Sequence, residues 1–288
     1  MDLIRKSCRL PALAVAVLLA IQLACTRAPL PGQTFPACKA GDYSVAQYRS
    51  LNPTQQAQLV ENYRKQYSPA LEKVRATLKD AHLDPPFYVL GRLKTVDSIE
   101  EKLSRKEYTC ISDLTDIAGV RIIIPSYAAL PLVTQSIESM LFIVEKEDFI
   151  LDQRRTGYRA IHYLTTVNNR AVEIQIHTHR GTLWAEASHR LVYKGPFSGN
   201  RAVISYLNRL SDAIFRLDSG LLQELPPVPE TLPPPAREDL TNVVAAVQNF
   251  RSLSAVELNR FYMQLERQML ERDSFDLDAA TGRDAGSQ

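Results

Sequence analysis

Ala171-Val172-Glu173-Ile174-Gln175-Ile176-His177-Thr178 alternates apolar and polar side chains along its length. Successive side chains of a strand point to opposite faces, so Val172, Ile174 and Ile176 make one apolar row and Glu173, Gln175 and His177 a polar row behind it. The apolar row reads as core. The polar row is either a solvent face or the floor of a site, and its neighbours decide which. Just upstream, Gly157-Tyr158-Arg159-Ala160-Ile161-His162 begins a strand predicted to pair antiparallel with the first through an Asn168-Asn169-Arg170 turn. Tyr158 and His162 then share a face, ring beside imidazole. Downstream, Gly181 to Tyr193 predicts a helix with Trp184, Ala187, Ser188 and Leu191 on one stripe and Glu186, His189 and Tyr193 around another.

Farther upstream, Ile117 to Ile124 is a nearly continuous apolar run, the pattern of a strand covered on both faces, with Arg121 inside it. A guanidinium there must meet a carboxylate, a phosphate or an aromatic plane. Asp116, at the start of the run, is a candidate metal ligand or else a turn carboxylate. Tyr88 to Lys94 predicts a strand, and Ser98 to about Arg105 a helix. Arg92 and Lys94 leave the strand end, while Ser98 and Lys102 lie one helical turn apart. Such a group is either a polyphosphate cradle beside a helix N-terminus or a solvated basic surface. Elsewhere the spacing predicts an amphipathic helix from about Thr54 to Ala81, opened by Asn52-Pro53, with Asp84-Pro85-Pro86 closing the region. A helix through Leu130 to Met140 leads to a strand at Phe142-Ile143-Val144. A polar loop from Asp148 to Gly157 carries Arg154 and Arg155, and a further helix covers Ala202 to Leu217.

The 288 residues are 45% hydrophobic and 23% charged, the balance of a globular protein, and the formal net charge of +2 gives no overall footprint for DNA or RNA. The cysteines, at positions 8, 25, 38 and 110, form no zinc-ligand spacing. Arg5, Lys6 and Arg9 followed by an apolar run from Leu10 to Ala24 read as an export signal over residues 1–25. Leu23-Ala24-Cys25 resembles the end of a bacterial lipoprotein signal, so Cys25 is a candidate for lipidation and membrane anchoring. Export would place the protein in the periplasm or on a membrane, where a Cys38–Cys110 bridge is permitted; a start codon set too early would instead leave it cytoplasmic. Residues 26–43 read as a linker and 44–220 as the main domain. Residues 221–237, rich in proline, read as an extended linker, 238–272 as C-terminal helices that could pair with the domain, a second copy or a partner, and 273–288 as a disordered tail.

The order of these motifs resembles the synthetase domain of the RelA/SpoT family, which makes the alarmones ppGpp and pppGpp, over roughly residues 85–195. Arg92-x-Lys94 with Ser98 and Lys102 is similar to the family's donor phosphate site, and Asp116-Ile-Ala-Gly-Val-Arg121 to its Asp-x-x-x-x-Arg strand. Gly157 to His162 is similar to its Gly-Tyr-x-Ser-x-His element, and residues 171–178 to its Glu-Ile-Gln-Ile-Arg-Thr strand. Trp184-Ala185 with His189 and Tyr193-Lys194 matches the helix after it. The resemblance implies an α/β (α+β) nucleotidyltransferase-like fold, a mixed β-sheet flanked by helices, with extra N- and C-terminal helices. It also implies transfer of a pyrophosphoryl group from ATP to the 3′-hydroxyl of GDP or GTP.

On that resemblance Asp116 and Glu173 would hold Mg²⁺, with Glu173 assisting the metal or deprotonating the hydroxyl. Arg92 and Arg121 would enclose the adenine, and Lys94, Ser98 and Lys102 would hold the ATP phosphates. Tyr158 would stack on the acceptor base, with His162, Gln175 and Arg154 completing that side. Three positions depart from the pattern: His177 stands for an arginine, Ala160 for a serine, and Glu147 precedes Asp148 where lysine is common. They leave the acceptor base open between guanine and adenine. Alternatives are a non-catalytic nucleotide-binding module, and an exported toxin running the same chemistry on adenine nucleotides.

Overall fold

The structure is a computed structural model, which describes residues 38–39, 41–81, 87–105, 108–150, 157–193, 195–221, 224–250, 260 and 262–264. The export segment, most of the 26–43 linker, Arg154 and the 273–288 tail lie outside the described residues, as does most of the second C-terminal helix. The chain divides into two compact units, 1–41 and 42–288. Cys38, in the first, is disulfide-bonded, as is Cys110 in the second.

The second unit opens with helices α1 (Val45–Arg49), α2 (Pro53–Lys65) and α3 (Ser68–Lys79). The single helix expected over Thr54 to Ala81 is therefore two. Pro69 is the reason: it has no N–H to give to a continuous helix, but at the first turn of α3 that N–H has no intrahelical role. Strand β1 (Tyr88–Leu93) and helix α4 (Val96–Arg105) follow, then β2 (Ala118–Ile124), helix α5 (Leu130–Met140), β3 (Ile143–Asp148), β4 (Ile161–Val167) and β5 (Arg170–Thr178). The strands form one mixed sheet in the order β1-β2-β5-β4-β3, with β2 and β5 parallel and the other pairs antiparallel. The β4–β5 turn puts Asn168 and Asn169 at φ 51° and 61°, the left-handed pair that two-residue hairpins require. β3 runs past the expected Val144 to Asp148. It is an edge strand, held by hydrogen bonds to β4 alone, so it needs no apolar row and its polar residues stay exposed.

Val172, Ile174 and Ile176 are buried, with Val120 and Ile122 beside them, under Leu71, Val74 and Leu78 of α3, Ile99 and Leu103 of α4, and Val133 and Ile137 of α5. A second apolar cluster lies beyond β5. It joins helix α6 (His179–Ser188), the π-helical turn His189–Tyr193, α7 (Arg201–Asp218) and α8 (Pro234–Asn249). The proline-rich segment is extended but is not a free spacer: Leu225 and Leu232 are buried in this cluster, and the helix begins within it, at Pro234.

His179 sits where these parts meet, stacked on Phe250 with ring centroids 3.8 Å apart and hydrogen-bonded through Nδ1 to Tyr262 Oη. Burial first, then the Arg180 charge, lowers its pKa to about 3. Below the unfolded value near 6.5 the unfolded chain takes up a proton that the folded chain refuses, so stability falls as pH drops, by about 1.4 kcal/mol per unit. His179→Phe is expected to remove about 2 kcal/mol of the stability lost between pH 7 and pH 5, read from urea unfolding at both values. An unchanged pH dependence would contradict this.

Candidate active site

Strand register assembles the site. Arg92 lies opposite Gly119, Gly119 beside Glu173, Arg121 beside Gln175, and Gln175 opposite His162, so all share the polar face. Over that face opens a cleft of about 770 Å³, counting the part open to solvent. Arg92, Lys94, Asp116, Arg121, Glu173 and Gln175 line it, with His189 and Tyr193 at one side. A Cβ on Gly119 would meet nothing within 4 Å, so a side chain there would project into the space beside Glu173.

One half of the cleft is cationic. Lys94 Nζ and Lys102 Nζ both donate to Asp116 Oδ2, at 2.7 Å and 2.5 Å. Lys94 is placed by its backbone bond to Ile117 O (2.8 Å), and Lys102 by the last turn of α4. Burial works to raise the Asp116 pKa, but the two ammonium groups outweigh it and hold the carboxyl below its usual range. Burial lowers the Lys94 pKa, aided by the Lys102 and Arg92 charges. It acts the same way on Lys102, where the bond to Asp116 prevails and the pKa is raised. Asp116 Oδ1 is buried and has no hydrogen-bond partner. Ser98 does not line the cleft; its N–H bonds Thr95 Oγ1 at 3.1 Å, one turn before Lys102. Arg121 meets a carboxylate, donating from Nη1 to Glu186 Oε1 at 2.9 Å. Glu186 was not among the expected site residues, although it shares the helix face of His189 and Tyr193. That turn of α6 widens to a π-helix, and the His189 and Tyr193 rings lie 5.4 Å apart beside the cleft.

Beside the cleft lies an aromatic group: Tyr158 and His177 line a separate pocket with Gly157, Arg159 and Trp184, and His162 reaches back to Glu173. Glu173 Oε1 lies 3.1 Å from His162 Nδ1, and its Oε2 accepts from Gln175 Nε2 at 2.9 Å. Burial raises the Glu173 pKa, yet the His162 contact wins and the pKa is lowered, so the carboxylate is ionised. Tyr158 Oη is 2.8 Å from His162 Nε2 and 3.3 Å from His177 Nε2. His177 is 2% exposed, and burial, then the Arg121 and His162 charges, push its pKa well below 6.5. It is a neutral partner of Tyr158 and not a weaker substitute for a phosphate-facing cation. Arg154, expected on this side, is outside the described residues.

Gly157 sets the turn into Tyr158 at φ 75°, where an added Cβ would come 2.8 Å from Trp184 Cζ2. Gly157→Ala combines a disfavoured φ with overpacking and is expected to destabilise the fold by about 1–3 kcal/mol, seen as a lower urea midpoint. An unchanged midpoint would show that the turn relaxes freely.

A model of the region found in RelA/SpoT proteins matches residues 91–197. The GTP pyrophosphokinase YjbM of Bacillus subtilis (strain 168) is 35% identical over 182 residues, which are 54% of this chain and 83% of that protein. Among solved structures, small alarmone synthetase 1 of Bacillus subtilis, bound to its product pppGpp, aligns at 32% identity and TM-score 0.49 over 57% of this chain and 95% of its own. Small alarmone synthetase 2 of Bacillus subtilis aligns at 24% identity and TM-score 0.42, over 62% and 93%.

Proposed function

This chain belongs to the RelA/SpoT family, and we propose that it is a pyrophosphotransferase that moves the β,γ-pyrophosphoryl group of ATP to the 3′-hydroxyl of GDP or GTP. One observation carries the reading: a single cleft holds a lysine-clasped aspartate and an ionised glutamate, and that glutamate also contacts His162 of the neighbouring aromatic group. Transfer of this kind asks a protein mainly for cations on the phosphates, alignment of the two oxygens and a base near the hydroxyl.

Lys94 and Lys102 hold the ATP phosphates, with Ser98 one turn from Lys102, while Arg92 and Arg121 flank the adenine. Tyr158 supplies a face for the acceptor base, with His162 and Gln175 on the same side. Glu173 takes the proton of the 3′-hydroxyl as its oxygen bonds to the β-phosphorus. The bond from that phosphorus to the α,β-bridging oxygen breaks, and AMP leaves. The donor set fits Mg²⁺: a hard cation takes carboxylate oxygens, Asp116 Oδ1 is buried without a partner, and Glu173 faces the same cleft. Bound by Asp116 and Glu173, Mg²⁺ would supply charge neutralisation on the transferring phosphates. Asp116, Lys94 and Glu173 line one cleft, with Lys102 bonded to Asp116, which supports catalysis over a non-catalytic module.

The test is to incubate the purified protein with Mg²⁺, ATP and, separately, GDP, GTP, ADP and AMP, and to resolve products by nucleotide chromatography. A pyrophosphorylated product with GDP or GTP, matched by AMP, is expected; no AMP release with any acceptor would overturn the reading. Export is also part of this proposal, supported by the basic, then apolar start of the chain. Alkaline phosphatase fused after Pro36 is expected to be active, and an inactive fusion would argue against export.

A further inference from the structure

The cations of the cleft are tied to carboxylates in two separate groups. Lys94 and Lys102 both bond Asp116, whereas Arg121 donates from Nη1 to Glu186 Oε1, on another element, at 2.9 Å. The strand register shows what surrounds that second pair. Arg92 stands opposite Gly119 and Leu90 opposite Arg121, so the two arginines are diagonal neighbours on one face of an antiparallel pair, about 7–8 Å apart. That is twice the contact distance of about 3.5 Å between stacked carbon atoms, the gap that one flat ring fills. Gly119 leaves the gap open, since a Cβ there would meet nothing within 4 Å, and Leu90 gives it an apolar floor. A guanidinium meets a nucleotide either with its N–H edge on phosphate oxygens or with its flat face on a base. Which of the two Arg121 does depends on what holds its edge.

We propose that Glu186 is a positioning residue for the donor nucleotide: by taking the Nη1 edge of Arg121 it commits this arginine to the adenine, as a flat face, and leaves the phosphates to the lysines. Glu186 is itself well fixed. Trp184 and Ala187, on either side of it in α6, are buried in the apolar cluster beyond β5, and Trp184 Nε1 donates to Leu207 O at 2.7 Å. The packing of α6 on α7 therefore sets the base end of the cleft, which His189 and Tyr193 also line. The inference rests on the reading of ATP as the donor, but the binding that tests it can be measured whether or not the protein turns over.

The experiment is calorimetric titration of the full chain with two probes, each with Mg²⁺. One is α,β-methylene-ATP, which cannot be cleaved at the bond that the transfer breaks; the other is inorganic tripolyphosphate, which has no base. Glu186→Ala is expected to weaken the nucleotide analogue about tenfold and to leave tripolyphosphate as tight as in the wild type. Glu186→Gln, which keeps an acceptor for Nη1, recovers most of the loss. In an Arg121→Ala background, Glu186→Ala has no further effect. Arg121→Lys, which keeps the charge but not the plane, loses the analogue as Arg121→Ala does. In turnover, Glu186→Ala raises KM for ATP and leaves kcat close to wild type. Wild-type affinity of Glu186→Ala for the analogue, an equal loss for both probes, or full additivity with Arg121→Ala would overturn the proposal. So would wild-type affinity of Arg121→Lys, a result that stands even where Glu186→Ala does not fold. Analogue binding that follows these expectations, without transfer to any acceptor, would sink the functional reading alone.

Discussion

Glu173→Gln is expected to lower transfer on the order of 10²–10⁴-fold while leaving the fold intact, because a positioned general base contributes about that much and glutamine cannot take a proton. The substitution keeps the side chain's size and one acceptor oxygen, so either the His162 or the Gln175 contact survives. The apolar neighbours Val172 and Ile174 face the other way, into the core, and are untouched. AMP release measures the loss, and a thermal melt checks the fold. Near-wild-type turnover by Glu173→Gln would remove Glu173 from the role of base. A lost melt would instead show that the carboxylate is structural.

Asp116→Asn is expected to abolish turnover and also to cost about 2 kcal/mol of stability, less than the loss of a fully buried pair because these side chains retain some solvent. Lys94 and Lys102 both bond Asp116 Oδ2, so losing its charge leaves two ammonium groups facing each other. The sign with pH follows from the lowered Asp116 pKa. Its contribution is present above the unfolded carboxylate value, about 3.9, and is lost as pH falls through the lower folded value. The stability gap between wild type and variant should therefore close in strong acid. Urea unfolding at neutral and acid pH measures it, and a gap that persists unchanged would mean that the lysines are not stabilised by that charge.

Much of the site was legible because it rests on local rules. The alternation in residues 171–178 separates an apolar row from a polar one, and of the polar row Glu173 and Gln175 line the cleft while His177 is buried. Arg121 inside an apolar run demanded a partner, and it has one. The identity of that partner was not legible, since Glu186 is 65 residues away in the chain and only the packing of α6 brings it near. That His177 stands for an arginine was legible, but its burial beside Arg121, which keeps it neutral, was not. The proline-rich segment is extended as read, but its packing was not legible. Proline rules out regular structure for most of it, but whether Leu225 and Leu232 find a surface to cover depends on α6 and α7.

The most direct measurement uses ATP labelled at the β-phosphate, with GDP and Mg²⁺. The expected result is label on the 3′ side of the guanosine product, one AMP formed for each labelled product, and neither in the absence of GDP. Label recovered in ADP or in inorganic phosphate, with no labelled guanosine nucleotide, would contradict pyrophosphoryl transfer by this chain.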